Sequence, residues 1–313
     1  MHCSAFPRDT RVATATRFAV LLTIFAAASV MGRATPASAA AITVRPSQSL
    51  AAVAASRPRG TVFRLSSGTF NTRSVELQSG DKVLGAGKSA TFVRFNGTMG
   101  FDTRGASGVE IAFLDISGVS GTKRSCGKEC GRGIHRGINA YYHDLRSHHN
   151  SAMGIGGGLS GARLVNVELD HNGSTANFGC CAAGVKSGRP YSITNSYVHD
   201  NLGNGIWCDQ VCEGRPMTAT GNRVLNNRLD GIHMEWTQGA NATIKNNYVR
   251  SSGRYGIHIA QFGYAWVLSN NVAGSAKVGI SFDSSRRGPA KGLADNNITD
   301  GLSGCQLPGV TCR

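Results

Sequence analysis

The chain has 313 residues, 33 Lys and Arg against 18 Asp and Glu, and a formal net charge of +15. Such a charge attracts polyanions, but the basic residues form no run and no nucleic-acid-binding motif is present, so nucleic acid is not expected as a partner. No apolar stretch is long enough to cross a membrane, which excludes a membrane-spanning helix and leaves one elongated domain.

The first 39 residues have the pattern of a secretory signal peptide. Arg8, Arg11 and Arg17 precede the apolar run FAVLLTIFAAASV, and small residues around Ala39 offer cleavage points. We therefore expect residues 1–39 to be removed, a secreted protein, and a single domain over residues 40–313. The removed part holds four Arg and one Asp, which leaves a charge near +12.

The next segment predicts a short helix followed by strands. The sequence SQSLAAVAA after Pro46 begins with serines of the kind that cap helices, and its apolar residues fit one helical face. The segments GTVFRLSSGTF and SVELQSGDKVLGAG follow, with strand-type residues bounded by glycines.

The C-terminal half repeats a Gly-apolar pair. It reads GVKSG at 184, GIWCD at 205, GIHME at 231, GIHIA at 256 and GISFD at 279, with steps of 21, 26, 25 and 23 residues. A period in this range, with Asn and Gly at the turns and runs too short for helices, indicates a stacked solenoid of strands. We predict an all-β parallel β-helix whose open end is capped by the N-terminal helix.

Alternation along the strands predicts which residues face the core. The predicted inward residues follow the repeated glycines: Ile206, Cys208, Ile232, Met234, Ile257, Ile259, Ile280 and Phe282. An apolar column on another face is expected to run through Ile116, Leu145, Leu169 and Val198. Asn172, Asn201 and Asn227 fall in register at a turn, where Asn tolerates left-handed backbone and can hydrogen-bond along the stack.

The cysteine count fits an exported protein. Cys3 leaves with the signal peptide, and an even number in an oxidising compartment predicts disulfides. The eight cysteines expected in disulfides are Cys126, Cys130, Cys180, Cys181, Cys208, Cys212, Cys305 and Cys312. The spacing suggests that Cys305 and Cys312 close the C-terminal tail, and it does not choose among the other pairings. The CxxxC spacings fit a zinc site less well.

These features together resemble a known superfamily. A capping helix, then GTVFRL-x-x-GTF, then LQSGDKVLGAG, then Asn-rich coils ending in Gly-Ile, is similar to the pectate lyase-like right-handed parallel β-helix proteins, over about residues 42–300. The resemblance implies a right-handed β-helix. The superfamily includes polysaccharide lyases, polygalacturonase-type hydrolases, mannuronan epimerases and non-catalytic adhesins. The pectate lyase Arg signature and the polygalacturonase Asp-Asp pair do not appear, so the reaction stays open.

The repeat register also predicts two outward columns of side chains. The first holds Lys186, Trp207, His233, His258 and Ser281, and the second holds Asp209, Glu235, Ala260 and Asp283. Because neighbouring coils lie about 4.8 Å apart, Asp209 and Glu235 should be adjacent, with acid–base groups around them. We take Lys186, Asp209, His233, Glu235 and His258 as candidate catalytic residues.

Three interpretations of these columns compete. In a lyase, Asp209, Glu235 and Asp230 would hold Ca²⁺, and Lys186 or His233 would remove a proton from a uronate. In a hydrolase, Asp209 and Glu235 would be the acid and the nucleophile or base. In the third, the columns are a solvated ladder in a binding or structural protein. We favour β-elimination on an acidic polysaccharide, with hydrolysis or C5-epimerisation as alternatives.

The remaining expectations concern binding. Trp207 is expected to be exposed and to stack on sugar rings, while Arg228 and Arg254 are expected to bind the substrate. His148, His149 and His171 lie on turns of earlier coils and offer an alternative location for the chemistry. The expected partner is an acidic polysaccharide, without nucleic acid or membrane, and the protein is expected to be a monomer.

Overall fold

The computed structural model describes most of the predicted domain. It covers residues 41–121, 129–179, 181–209, 216–285 and 288–313, without the side chains of 236–240, 261–262, 285 and 288–289. A compact unit spans Ala39–Arg313. The predicted signal peptide, Cys126, Cys180 and Cys212 lie outside the described residues.

The described chain winds into a parallel β-helix with three faces, because its short β-type runs are separated by brief turns. Face 1 carries the repeated Gly-apolar strands. Its strands are Val75–Glu76, Phe101–Asp102, Arg132–His135, Met153–Gly157, Ala183–Ser187, Asn204–Asp209, the first parts of Ile232–Lys245 and Ile257–Leu268, Ile280–Ser285 and Leu302–Ser303.

Face 2 follows face 1 within each coil. Its strands are Ala41–Val44, Val62–Leu65, Lys82–Leu84, Glu110–Ala112, Tyr141–His143, Arg163–Val165, Ser192–Thr194, Met217–Thr220, the last parts of Ile232–Lys245 and Ile257–Leu268, Gly292–Asp295 and Val310–Cys312. The two long strands continue from face 1 into face 2, which joins both faces in one sheet.

Face 3 is a separate sheet and closes each coil. Its strands are Gly68–Thr72, Thr91–Phe95, Asp115–Ser117, Arg146–His148, Glu168–Asp170, Tyr197–His199, Arg223–Leu225, Tyr248–Arg250, Asn271–Ala273 and Ile298–Thr299. Two-residue turns lead into most of its strands from face 2. Asn166, Asn195, Asn246 and Asn296 open four of these turns with φ between 50° and 56°, a left-handed conformation that Asn tolerates. The Gly288–Pro289 strand pairs antiparallel with Ile280–Ser285.

The core runs along the solenoid axis and consists of the inward residues of all three faces. All eight inward residues predicted on face 1 are at most 1% exposed, which confirms the register. On face 3 the predicted column is wrong at one coil. Ser147, not Leu145, pairs between Ile116 and Leu169. The Ser147 hydroxyl is fully buried and donates to the Gly154 carbonyl at 2.9 Å, so a polar residue fits this core position.

Asparagine ladders brace the turns, as predicted. The Asn172 Nδ2 donates to Asn201 Oδ1 at 3.1 Å, and the Asn201 Nδ2 donates to Asn227 Oδ1 at 2.9 Å. All three are at most 1% exposed. A second ladder lies between faces 2 and 3, where Asn222 donates to Asn247 and Asn247 to Asn270. Each ladder also bonds buried backbone groups: Asn201 accepts from the Asn172 N–H and donates to the Leu169 carbonyl, and Asn222 donates to the Ile193 carbonyl.

A short helix spans Leu50–Ala55 near the start of the described chain. The Ser49 hydroxyl accepts from the Ala52 backbone N–H at 3.3 Å, the bond of a helix N-cap. Leu50 and Ala54 are buried and join the hydrophobic core. That this helix caps the solenoid stays a prediction.

The cysteines only partly follow the expectation. Cys305 and Cys312 form the predicted disulfide at the C-terminal tail. Cys130 and Cys208 are also disulfide-bonded. Cys181 was expected in a disulfide, but the structure has it as a buried thiol packed near Trp207.

Candidate functional site

The predicted columns are present on face 1. Asp209 pairs with Glu235 on the adjacent strand, and Trp207 pairs with His233. His233 in turn pairs with His258. Because the strands run in parallel without a slip over these positions, their outward side chains stack one above the other.

Lys186 and Asp209 form an ion pair at one end of the cluster. The Lys186 ammonium lies 2.8 Å from Asp209 Oδ2 and 3.3 Å from the centre of the Trp207 ring. The other oxygen, Asp209 Oδ1, is buried and meets no hydrogen-bond donor among the described residues. The Glu235 carboxyl is within hydrogen-bonding reach of Asp209. A single proton held between the two carboxyl groups would therefore satisfy both.

Glu235 lies at the centre of the site. Its Oε1 accepts from the Trp207 indole N–H at 3.0 Å, and its Oε2 lies 3.1 Å from His233 Nε2. The two contacts hold the carboxylate in one orientation beside Asp209.

Asp230 organises the other half of the site from inside the turn. Its carboxylate receives a bidentate pair of bonds from Arg254, at 2.9 and 2.6 Å. It also bonds His233 Nδ1, and it lies 3.1 Å from His258 Nδ1. His258 Nε2 reaches Asp283 at 2.8 Å. The groups thus form a continuous hydrogen-bonded chain from Glu235 to Asp283.

The environment drives the pKa values of the adjacent carboxyls apart. Burial raises the pKa of Asp209, and the nearby Glu235 raises it further, against the opposing effect of Lys186. Burial alone would raise the pKa of Glu235, but the hydrogen bond and the charge of His233 lower it to about 2. At neutral pH Glu235 is therefore ionised, and Asp209 is the group that holds a proton more readily.

His233 is a cation at neutral pH. Burial would lower the pKa of His233, but its hydrogen bonds to Asp230 and Glu235 raise it to about 9. The pKa of Asp230 falls well below its usual range, because its bonds to His233, His258 and Arg254 outweigh the effect of burial.

The outward columns are more buried than a solvated groove would be, which corrects one expectation. Trp207 is only 5% exposed and packs with Met153 and Ala183, so it is not an exposed sugar platform. The side chains of Asp209 and Glu235 keep 19% and 16% of their surface exposed, so a ligand can reach both carboxyls.

The two arginines expected to bind substrate have other contacts. Arg254 holds Asp230, so its role here is to position that carboxylate. Arg228 lies over the ring of Phe178, 4.8 Å from its centre. The structure does not bring Arg228 together with the columns among the described residues.

The proposed calcium ligands do not converge. Asp230 is fully buried, and both of its oxygens are engaged by Arg254. His233 lies between Asp230 and Glu235 and bonds to both. Calcium needs several oxygens around one point, so these three carboxylates do not fit the ion.

Sequence reasoning missed part of face 1. His135 is fully buried, with Nε2 2.7 Å from Glu129 and Nδ1 3.2 Å from Asp102. It continues the first outward column toward the N-terminus, because His135 pairs with Gly156 and Gly156 pairs with Lys186. The signal was available, since residues 133–135 repeat the Gly-Ile-His of 231–233 and 256–258.

Comparison with known families identifies the fold. A family model described as a right handed beta helix region matches residues 71–272 and again 180–307. The chain belongs to this family. The resemblance to pectate lyase-like right-handed β-helices is thereby confirmed. No curated protein sequence matches the chain.

Solved structures show the same fold at low sequence identity. Pectate lyase Pel9A is 12% identical over 87% of this chain and 78% of its own, with a TM-score of 0.58. The Dettilon tailspike protein is 15% identical over 86% and 68%, with a TM-score of 0.52. The A-module of the mannuronan C-5 epimerase AlgE6 of Azotobacter vinelandii is 16% identical over 84% of both chains, with a TM-score of 0.50.

No described helix is long and apolar enough to cross a membrane.

Proposed function

We propose that this protein is an exported carbohydrate-active enzyme that cleaves a polysaccharide through Asp209 and Glu235. The observation that carries the proposal is their pairing on adjacent strands, with opposite pKa shifts. Adjacent titratable groups whose environments separate their pKa values are typical of acid–base assignments in enzymes. The polysaccharide substrates named for the pectate lyase and the mannuronan epimerase support a glycan substrate here.

Hydrolysis is the reaction that this geometry supports best. Asp209 would give its proton to the glycosidic oxygen as the bond from that oxygen to the anomeric carbon breaks, while ionised Glu235 attacks that carbon. Water, deprotonated by Asp209, would then release the sugar from Glu235. The two carboxyls lie within hydrogen-bonding reach of each other, closer than the roughly 5–5.5 Å of retaining enzymes and the roughly 6.5–9.5 Å of inverting ones. A bound sugar would have to part them, and the smaller of these two separations, with retention of configuration, is the one we expect. His233 keeps Glu235 ionised, and Lys186 anchors Asp209.

β-Elimination, which the sequence favoured, is the second candidate. The charge near +12 outside the signal peptide and the Lys186 ammonium beside the carboxyls favour an acidic substrate. The proton-abstracting base would be His233 or Lys186. Because the pKa of His233 is about 9, it becomes a free base only in alkaline solution. An eliminating enzyme that uses His233 would therefore gain activity as the pH rises through 9.

Export and a monomeric state are part of the proposal. The N-terminal pattern of residues 1–39 and the disulfides support export into an oxidising compartment. Analytical ultracentrifugation of the secreted protein tests whether it is a monomer in solution.

A substrate panel tests the proposal. Pectate, alginate, glycosaminoglycans and neutral glucans are each incubated with the protein, and reducing ends, unsaturated uronate absorbance and NMR of the polymer are recorded. New reducing ends without the absorbance support hydrolysis, and the absorbance supports elimination. An NMR change without cleavage supports an epimerase. Unchanged polymers with measurable binding would indicate a binding or structural protein.

Matched variants assign the activity to the site. Asp209→Asn and Glu235→Gln should each lower the rate at least about 100-fold, the usual contribution of a general acid or base. Glu76→Gln removes an exposed carboxylate from the same face several coils away and should keep full activity. Full activity in Asp209→Asn and Glu235→Gln would place the chemistry elsewhere.

A further inference from the structure

A cavity opens at the corner between faces 2 and 3, away from the candidate site on face 1. Its volume is about 280 Å³, at the small end of the roughly 300–1,000 Å³ of ligand pockets, so it suits a single small ring. Three successive coils and one earlier loop supply the lining, which consists of residues 166–168, 195–197, 221 and 223 and Lys88.

The turns that enter face 3 shape this corner cavity. Asn166, Asn195 and Gly221 occupy the same place in successive turns, and all three have a left-handed φ, of 53°, 50° and 67°. Of these three, Gly221 has no side chain, and the Asn195 amide leans across it. A Cβ on residue 221 would lie 2.7 Å from Asn195 Oδ1. Glycine at 221 therefore allows the amide to line the cavity.

Cations outnumber carboxylates in the lining. Lys88 Nζ lies 3.0 Å from Glu168 Oε2, and the Arg146 guanidinium lies 3.6 Å from Glu168 Oε1, so the charge of Glu168 is compensated. Arg223 is exposed, and its guanidinium has no ion pair or hydrogen bond within the described part of the chain. With Lys88 and Arg223 against Glu168, the cavity keeps one positive charge, which favours a ligand with one negative charge.

An aromatic ring holds the Arg223 side chain beside the cavity. The Arg223 Cζ lies 5.2 Å from the centre of the Tyr197 ring, a cation–π contact. The His199 ring stacks on Tyr197, with the two ring centres 3.8 Å apart. These contacts limit the positions that the guanidinium can take. A planar, pre-organised guanidinium loses less freedom when it bonds a planar anion.

Two neutral polar groups complete the lining. Neither the Asn195 amide nor the Tyr197 hydroxyl has a hydrogen-bond partner among the residues that the structure describes. An amide offers two donors and an acceptor, and a phenol donates and accepts. The Glu168 carboxylate has further lone pairs beyond those that face Lys88 and Arg146. Such groups around one small cavity match the hydroxyls of a sugar ring.

We propose that this corner cavity binds a sugar acid, a uronate ring whose carboxylate pairs with Arg223. The hydroxyls of the ring bond Asn195, Tyr197 and Glu168. A guanidinium bonds a carboxylate through two parallel N–H donors, and a uronate carries the single negative charge that the lining favours. The cavity lies on a different part of the solenoid from the candidate site and its ligand is not cleaved there, so this role goes beyond the proposed function.

A larger cavity near the first coils lacks the net charge. Its volume is about 500 Å³, and it lies at the corner between faces 1 and 2. Arg104 lies 3.4 Å from Asp102, and the charges of Arg59 and Glu76 balance in the same way. This cavity therefore does not select an anion, and the corner between faces 2 and 3 is the better site for a sugar acid.

Ligand-observed NMR and calorimetry on the whole chain at low salt test the proposal. Galacturonate and glucuronate are compared with galactose and glucose, which lack the carboxylate, and with sulfate as a simple anion. We expect the uronates to bind at least about 10-fold more tightly than the neutral sugars, because only they form the charge-assisted pair. A galacturonate trimer that binds at least as tightly identifies a chain end as the ligand, and exclusion of the trimer identifies the free sugar.

Matched variants locate the binding. Arg223→Gln should lower the affinity for uronates at least about 10-fold and leave the affinity for neutral sugars unchanged. Asn195→Gly keeps the left-handed turn and should lower both affinities about 3-fold through one lost neutral hydrogen bond. Arg163→Gln is the control, because Arg163 also lies over an aromatic ring, 4.3 Å from the centre of Tyr141, but outside the cavity. It should leave both affinities unchanged.

Several results would overturn the proposal. They are the absence of uronate binding, equal affinities for uronates and neutral sugars, displacement of the uronate by sulfate at equal concentration, and unaltered binding in Arg223→Gln with a wild-type circular dichroism spectrum. The proposed function is tested separately by cleavage. Binding that depends on Arg223 in a protein that cleaves no polymer would keep this site and reject that function, and cleavage without such binding would do the reverse.

Discussion

The charge on His233 should make the stability of the fold depend on pH in the alkaline range. Its imidazole is 5% exposed and is held between Asp230 and Glu235. Its pKa is about 9 in the folded protein against an ordinary value of 6.5. Because the folded value is the higher one, the contribution is fully present below pH 6.5 and is lost as the pH rises through 9.

The size of the effect follows from this difference. At about 1.4 kcal/mol per pH unit, the gap between the two pKa values corresponds to about 3 kcal/mol of stability. The side chain is too buried for solvent screening to reduce this much. We therefore expect the free energy of unfolding to fall by about 3 kcal/mol between pH 6 and pH 10 on account of this group.

Urea unfolding at a series of pH values measures the effect. His233→Gln is the matched variant, because it keeps a hydrogen-bonding side chain but cannot titrate. The difference in unfolding free energy between wild type and variant should shrink by about 3 kcal/mol across the range. NMR of ¹³C-labelled histidine should give the pKa of His233 directly.

Parallel pH profiles for the two proteins would refute this reasoning. They would mean that His233 is neutral in the fold, and that Asp230 and Glu235 do not stabilise its charge. An NMR pKa below 7 would give the same answer. Either result would also weaken the argument that Glu235 is held ionised by a cationic neighbour.

Three further outcomes follow from the structure. Asp209→Asn should abolish activity and leave the melting temperature unchanged or higher, because the repulsion between two adjacent carboxyls that it removes offsets the ion pair with Lys186 that it also removes. Glu235→Gln should abolish activity and lower the melting temperature, because it removes the carboxylate that pairs with the buried cation of His233. Activity assays and calorimetry check both variants. Asn201→Ala should cost about 3 kcal/mol in urea unfolding, since it leaves several buried ladder groups unsatisfied. Leu50→Ala should lower the free energy of unfolding by about 3 kcal/mol if the helix closes the end of the core, because Leu50 is buried. The control Ala55→Ser changes an exposed residue of the same helix and should have little effect. Equal effects of the two variants would contradict a capping role.

Much of the candidate site could be predicted from the sequence because the coil repeat and the alternation of side chains along each strand fix which residues are neighbours. The glycine period gives the coil, and strand alternation gives the direction of each side chain, so Asp209 had to lie beside Glu235 once Ile206 and Ile232 faced the core. The same argument fails where the repeat is irregular. On face 3 the hydrophobic pattern predicts Leu145 in the column, but Ser147 occupies the inward position. A search for apolar residues does not detect a buried hydroxyl that donates to a backbone carbonyl.

The sequence by itself determined the parallel β-helix, its inward residues and the order of the outward columns. Tertiary structure alone decided how exposed those columns are and which atoms each group bonds. Trp207 points outward yet is buried, and Asp230 forms an ion pair with Arg254 instead of binding an ion together with Glu235. The physical reason is that direction depends on the alternation of one strand, whereas burial, ion pairing and pKa depend on residues from other coils and turns.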